Sequence, residues 1–189
     1  MQCNHPGVNA LRTPIFAEMV NIVNGQTVTF NEFLFQTQQI QNAFQNYSFS
    51  NNRAITKSML TWWAFQDDGQ QLLSLESVLE IEHIYARNRY EKEHSLTNPR
   101  NMEALGNKAL LEKRINIRAS DYRFTDKKKY YVGFENARKQ MKEGTKIKEL
   151  TDLAVTTEDF TESDIVQRNS KMIFDFLAFM HSNGLLSDD

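Results

Sequence analysis

Apolar residues recur at helical spacing near the start of the chain. Those between residues 15 and 23 fall on one helical face. Thr13-Pro14 before them is a typical helix start, because threonine caps the free amide groups and proline suits the first helical position. Gly25 marks the expected end of this helix, because glycine is common just after the last helical residue. The pattern predicts a first helix between these marks.

Two more helices are expected before residue 78. Thr29 and Glu32 form a capping-box pattern ahead of an apolar stripe that includes Phe44. A third stripe, rich in aromatic side chains, extends from about Arg53 to Phe65. We therefore interpret residues 1–77 as a helical segment that packs on whatever follows.

The pattern changes to strands after residue 77. Val78 to Tyr85 alternates apolar and polar positions, as in a half-buried strand, and Ala109 to Leu111 forms a second short strand beyond a polar loop. These two segments predict a strand, loop and strand in the middle of the chain.

Two long helices should follow the second strand. One begins at Thr125 and stops near Gly144. The last begins at Thr161, with Asp164 three residues later, and ends at Gly184. The predicted fold class is therefore α+β, with a second unit over residues 78–189.

Composition narrows the possible classes. The 189 residues are 40% hydrophobic and 11% aromatic, as in a globular protein. Cys3 is the only cysteine, which excludes a disulfide framework and a cysteine-rich zinc site. No apolar run reaches the roughly 20 residues of a membrane span, and the first residues lack a signal-peptide layout. We expect a cytoplasmic protein without a membrane partner.

Positive charge is concentrated in one part of the chain. The net charge is -2, yet residues 113–148 contain twelve lysines and arginines against four acids. Such a segment can bind phosphates on an otherwise acidic protein. A solvated helical face is the alternative interpretation of a charge run.

The candidate chemistry centres on Glu82-His83 at the end of the first strand. Hydrolysis of a phosphodiester needs a base that activates water and a cation that neutralises developing charge. Neutral histidine is abundant at pH 7, and a carboxylate suits Mg²⁺, which prefers oxygen ligands. Strict strand alternation sends Glu82 and His83 to opposite faces, so Glu80, on the face of Glu82, is an alternative ligand.

Two asparagines follow at informative spacing. Asn107 lies 24 residues after His83, and Asn116 lies nine residues after Asn107. Taken singly, Asn107 would be a turn residue and Asn116 a strand breaker. Taken together with the acid-histidine pair and the basic segment, they favour a nuclease site.

These motifs resemble the His-Me finger (HNH) nucleases. The sequence is similar to the C-terminal domain of GmrSD-type modification-dependent restriction enzymes, and to the domain that ends the phage-defence protein SspE. The resemblance covers about residues 79–180. Its motifs are the Glu-His-Ile core, the Leu-Gly-Asn-x-x-Leu-Leu run that leads to Asn116, and the ending that contains Arg168. Ala86 stands where the family usually has proline.

The resemblance implies a ββα-metal unit packed among several α-helices. It implies that His83 is the general base, that Asn107 braces the catalytic site, and that Glu82 and Asn116 hold Mg²⁺ or Mn²⁺. The expected nucleic-acid contacts are Lys127, Lys128, Arg87 and Arg114.

The expected activity is hydrolysis of DNA phosphodiester bonds, by nicking or double-strand cleavage, in restriction or phage defence. Related systems place a modification-sensing NTPase domain ahead of the nuclease. No phosphate-cradling glycine-rich loop occurs here, so that partner would be a separate domain or subunit. The alternatives are a non-catalytic nucleic-acid-binding or assembly subunit and an RNA-directed nuclease.

Overall fold

The computed structural model describes residues 12–27 and 34–186. Cys3 and the capping-box pair Thr29 and Glu32 lie outside these ranges. The described elements are, in chain order, α1 (Arg12–Val23), α2 (Thr37–Asn46), α3 (Ala54–Phe65), β1 (Leu79–His83), α4 (Arg87–Glu93), β2 (Lys108–Glu112), α5 (Lys113–Ala119), α6 (Phe124–Val132), β3 (Phe134–Glu135), β4 (Met141–Lys142), α7 (Lys148–Thr156) and α8 (Glu162–Ser182). Two short 3₁₀ helices, Pro99–Glu103 and Leu105–Asn107, precede β2.

The chain divides into two compact units. The larger comprises residues 44–175, and the smaller comprises the described residues before 44 and after 175. This division differs from the predicted boundary at residue 77, because α3 packs against β2 and thus belongs to the larger unit. Within the described ranges, no helix is long and apolar enough to cross a membrane.

The larger unit is organised around an antiparallel pair of strands. Leu79 of β1 lies opposite Glu112 of β2, and His83 lies opposite Lys108. The three residues Ala109, Leu110 and Leu111 are fully buried. A strand covered on both faces needs such a continuous apolar run, and here α3 and α5 both pack against β2. The elements β1, β2 and α5 form a strand–strand–helix unit.

Several predicted helices are confirmed. The first and third helices occur as α1 and α3. The last begins at Glu162, where the amide and hydroxyl of Thr161 both donate to the Asp164 carboxylate. It ends before Gly184, whose φ of 64° lies in the left-handed region that glycine tolerates.

The long helix predicted over residues 125–144 is wrong in its second half. α6 ends at Val132, and Gly133 follows with a φ of 87°. The chain then forms the β3–β4 hairpin, in which the Asn136 side chain accepts from the backbone amides of Arg138 and Gln140. A Cβ on Gly144 would lie 2.4 Å from the Tyr131 carbonyl oxygen, so the hairpin closes tightly on the end of α6.

Three short helices were not predicted. α4 lies inside the expected polar loop, α5 follows β2 directly, and α7 precedes α8. α4 and α5 have seven residues each, which is too short for a clear apolar period. Tertiary packing rather than local helix propensity therefore stabilises α4 and α5.

Candidate active site

Asn107 clamps the backbone that follows β1. Its Oδ1 accepts from the Tyr85 amide at 2.7 Å, and its Nδ2 donates to the carbonyls of Tyr85 at 3.3 Å and Met102 at 3.0 Å. Its own carbonyl accepts from the Ile84 amide at 2.9 Å. The side chain is fully buried and every polar group is paired. Asn107 therefore fixes the chain immediately after His83, as a brace would.

α8 supports the turn that carries Asn107. Arg168 donates from Nη1 to the carbonyls of Leu105, Gly106 and Lys108. A Cβ on Gly106 would lie 2.1 Å from the Ile165 carbonyl oxygen, so only glycine fits against the helix there. These contacts give a physical reason for the Leu-Gly-Asn motif and for the distant arginine.

His83 lies at the end of β1 with 12% of its side chain exposed. Its Nε2 is buried and has no hydrogen-bond partner within residues 34–186. Burial lowers the pKa of His83 to about 4, the positive charge of Lys108 acts in the same direction, and Glu103 partly offsets both. The imidazole is therefore neutral at pH 7, as a general base must be.

Glu103 and Lys108 form a charged pair beside His83. Lys108 is fully buried, and its Nζ donates to Glu103 Oε2 and to Asn51 Oδ1 at 2.6 Å each. Burial alone would raise the pKa of Glu103, but the hydrogen bond and charge of Lys108 lower it. The sequence analysis did not predict this pair. The signal was that Lys108 is the first residue of an apolar strand, because a lysine in a buried strand needs an acidic partner.

Glu82 occupies a different environment from His83. Its carboxylate is buried, and Oε1 accepts from Lys127 Nζ at 2.6 Å and from the Tyr131 hydroxyl at 2.8 Å. Burial raises the pKa of Glu82, and the adjacent ammonium of Lys127 opposes that rise only in part. The acid and the histidine thus have separate partners, as strand alternation requires.

Asn116 meets Glu80 rather than Glu82. It lies on α5, which packs against β1, and its Nδ2 donates to Glu80 Oε2 at 2.9 Å. About a third of the Glu80 side chain is exposed, and Lys113 Nζ lies 3.7 Å from Oε1. Among residues 12–27 and 34–186, no three His, Cys, Asp or Glu side chains converge as a ready-made metal cluster. Glu80 and Asn116 are both partly exposed, so this pair can offer oxygen ligands to a cation from solvent.

The four expected phosphate contacts lie in different environments. Lys127 is only 1% exposed and is bonded to Glu82 and to the His83 carbonyl, so it cannot reach a phosphate in this conformation. The half-buried Lys128 donates to the Thr157 carbonyl. Arg87 is about half exposed and pairs with Glu103. Lys127 is thus enclosed in the core, whereas the half-buried Lys128 keeps its predicted role as a phosphate contact.

Arg114 instead lines a basic cleft of about 680 Å³. The cleft lies between α5, the segment before β1 and the chain around β4. Its positively charged lining residues are Lys113, Arg114, Arg118, Lys142 and Lys146. Its acids are Glu76, Glu112 and Glu143, of which Glu112 already accepts hydrogen bonds from Thr145 and the Lys146 amide. We call this surface the basic cleft.

A comparison with protein families matches residues 34–174, about three quarters of the chain, to the C-terminal domain of GmrSD restriction endonucleases. The chain belongs to this family. The match begins before α3, so the GmrSD C-terminal domain includes helices that the sequence motifs did not cover. It also contains β1, β2 and α5 with all the residues discussed above. No curated protein and no solved structure matches the chain.

Membership agrees with the resemblance inferred from the motifs. A GmrSD C-terminal domain belongs to a restriction endonuclease family, which implies a nuclease. The α+β fold of the larger unit is compatible with that assignment.

Proposed function

We propose that this chain is a metal-dependent endonuclease of the His-Me finger (HNH) type that hydrolyses DNA phosphodiester bonds. The observation that carries the proposal is the strand–strand–helix unit. Its first strand ends at His83, its second begins directly after the clamp residue Asn107, and its helix brings Asn116 against β1.

His83 acts as the general base in this proposal. Its imidazole is neutral at pH 7 because burial lowers its pKa, so it can accept a proton from the attacking water. Asn107 does not touch the reacting atoms. It holds the backbone of Tyr85 and Ile84 and so keeps His83 in place at the end of the strand.

Asn116 and Glu80 are the proposed ligands of a divalent cation, Mg²⁺ or Mn²⁺. The donor chemistry fits, since Mg²⁺ takes amide and carboxylate oxygens and keeps several waters, so it needs only one or two carboxylates. When bound, such a cation neutralises negative charge on the phosphate and the departing oxygen. Glu82, which the family resemblance implies as a ligand, is already neutralised by Lys127.

Measurements of metal affinity can show whether Glu80 or Glu82 is the ligand. Glu80→Gln is expected to weaken Mn²⁺ binding by at least roughly 10- to 100-fold, because even the loss of a group that only orients a metal ligand has an effect of that size. Glu82→Gln should leave Mn²⁺ affinity within a factor of about three, because its carboxylate faces Lys127. Isothermal titration with folded, metal-free protein measures both.

The opposite ranking would contradict this ligand assignment. If Glu82→Gln lost Mn²⁺ binding while Glu80→Gln retained it, the acid adjacent to His83 would be the ligand. Asn116→Ala serves as the common reference, because both assignments require its amide oxygen.

The basic cleft is the proposed binding surface for the DNA backbone next to the scissile phosphate. Its five cations outnumber its three acids. Arg114, Lys142 and Lys146 make no side-chain hydrogen bond or ion pair within the described residues, so they are free for phosphates. Lys113 lines the cleft, and its Nζ lies 3.7 Å from Glu80 Oε1. A bound strand would therefore run directly past the Glu80–Asn116 pair.

Replacing Arg114, Lys142 and Lys146 together by alanine is expected to weaken DNA binding and to flatten its dependence on salt. Each lost phosphate contact lowers the slope of log K against log[salt] by about 0.9. The measurement is fluorescence anisotropy of a labelled duplex across a salt series, without divalent cation.

A matched control removes three exposed cations outside the cleft, through Lys92→Ala, Arg100→Ala and Lys129→Ala. This control has the same net charge as the cleft variant. Equal loss of binding in both triple variants would show that net charge alone, and not the cleft, attracts DNA.

The biological role we propose is restriction or phage defence, with a modification-sensing NTPase domain or subunit as partner. Membership of the restriction endonuclease family supports the restriction role. The cytoplasm, where foreign DNA would be met, remains the expected location.

The direct test incubates supercoiled plasmid with the wild-type protein and Mg²⁺ or Mn²⁺. Nicked plasmid is the expected product, and EDTA should prevent its formation. A structured RNA under the same conditions tests the alternative substrate, because phosphate contacts alone do not distinguish the two nucleic acids. Binding without cleavage of either substrate would favour a non-catalytic subunit.

A further inference from the structure

One ring nitrogen of His83 is closed off from solvent. Nε2 is buried and makes no hydrogen bond within the described part of the chain. The carboxylate of Glu103 lies close to it, with Oε1 3.5 Å away. A buried N–H without an acceptor is destabilising, so the nearby carboxylate can decide which ring nitrogen carries the proton.

We propose that Glu103 is a positioning residue that selects the His83 tautomer, holding the proton on Nε2 and leaving the lone pair on Nδ1. The proposal rests on the proposed function only where it concerns catalysis. The tautomer itself is a property of the free protein.

Access to the two ring nitrogens supports this assignment. Because Nε2 contributes nothing to the exposed 12% of the side chain, an attacking water cannot approach it. Nδ1 is the remaining nitrogen, and it can accept a proton only if the neutral ring carries its hydrogen on Nε2. The 3.5 Å separation is longer than a formed hydrogen bond, as is common in catalytic sites without substrate.

Glu103 is held firmly enough to act in this way. Its Oε2 accepts from the fully buried Lys108, and its Oε1 accepts from Arg87 at 3.0 Å. Its backbone carbonyl accepts from the Phe49 amide at 3.1 Å. Lys108 is bonded in turn to Asn51. The carboxylate therefore has a fixed orientation in which one oxygen faces Lys108 and the other faces His83.

Glu103→Gln is the informative substitution because it keeps the size of the side chain. Lys108 is buried and can only donate, so the single amide oxygen of the glutamine should stay with it. The amide nitrogen then faces His83 Nε2. Arg87, which is about half exposed, can turn towards solvent. A donor at that position favours the opposite tautomer, with the proton on Nδ1.

The first readout is the ¹⁵N NMR spectrum of the histidine side chains at pH 8, without metal, where a neutral tautomer predominates. The His83 signals are those that disappear in His83→Ala. We expect protonated Nε2 in the wild-type protein and protonated Nδ1 in Glu103→Gln.

Glu93→Gln is the matched control. The side chains of Glu93 and Glu103 are similarly exposed, at 28% and 26%, but Glu93 pairs with Arg89 and Arg123 and not with His83. This variant should keep the wild-type tautomer. A change in both variants would indicate a general effect of lost charge and would overturn the specific role of Glu103.

The second readout is steady-state cleavage. Glu103→Gln should lower kcat by roughly 10²-fold or more, the lower end of the contribution of general base catalysis, with KM within about twofold. A merely structural role would instead lower the unfolding temperature and leave the tautomer unchanged.

The outcomes separate the two proposals. Protonated Nδ1 in the wild-type protein, or an unchanged tautomer in Glu103→Gln, overturns the role of Glu103. If Glu103→Gln does not fold, the wild-type spectrum alone decides. If the tautomer changes as expected but the wild-type protein cleaves no nucleic acid, the assignment of Glu103 stands and the proposed function fails.

Discussion

Replacing His83 by alanine is expected to lower kcat for plasmid cleavage by about 10²- to 10⁴-fold with little change in KM. The reason is that His83 is the proposed general base, and burial lowers its pKa so that the imidazole is neutral at pH 7 and can accept a proton. The measurement is the rate of nicking in Mg²⁺ at saturating plasmid.

The control for this experiment is His181→Ala. His181 lies in the exposed last turn of α8, outside the larger unit, so its loss should leave the rate unchanged. Thermal unfolding of each variant checks that the fold is retained. If cleavage survived in pure His83→Ala protein, a different residue would be the base and the proposed mechanism would be incorrect.

Replacing Lys127 by methionine is expected to reduce the free energy of unfolding by about 3–5 kcal/mol at pH 7. The substitution leaves the Glu82 carboxylate in the core without its cation. The Tyr131 hydroxyl still donates to it, but one neutral donor does not replace an ammonium group at 2.6 Å. Urea denaturation followed by circular dichroism measures the change.

The loss should shrink as the pH falls. Burial already raises the pKa of Glu82 with Lys127 present, and removing Lys127 raises it further. A group whose pKa is higher in the folded state stabilises the fold below its unfolded value and loses that contribution as the pH rises. The difference between the variant and the wild-type protein therefore grows from acid towards neutral pH.

A double variant isolates the ion pair. Lys127→Met combined with Glu82→Leu removes both charges of the pair, and it should recover much of the lost stability because neither partner is left as an unpaired buried charge. Recovery would not occur if Lys127 stabilised the fold only through its alkyl chain and its bond to the His83 carbonyl. If fully folded Lys127→Met protein lost DNA binding, the prediction that Lys127 contacts a phosphate would be supported instead.

The outcome for Lys127 illustrates why charge patterns alone mislead. Sequence reasoning placed it in a basic face because neighbouring residues are also basic. On α6, however, Lys127 lies between buried Phe124 and buried Tyr131, three residues before and four after it, on the face that packs inward. Helical periodicity contained that information, but the acid that neutralises the lysine lies 45 residues away.

The same reasoning explains the error over residues 133–144. Local propensity allowed α6 to continue, and its apolar spacing favoured a long helix. Gly133 and Gly144 permit instead a close approach of backbone that any side chain would prevent. Whether two glycines end a helix or close a hairpin depends on the segments that pack against them. A short stretch of sequence does not show which segments those are.

The sequence by itself determined the family, the two strands, the first, third and last of the predicted helices, and the spacing of His83, Asn107 and Asn116, because these depend on local periodicity and on motifs. Only the tertiary structure decided that Asn116 meets Glu80, that Glu82 is sealed by Lys127, that Glu103 faces His83, and that Arg114 lines the basic cleft. Each of these contacts joins residues at least 20 positions apart or depends on which face of an element is buried. Burial and long-range pairing determine which charges are free to do chemistry, and both exist only once the chain has folded.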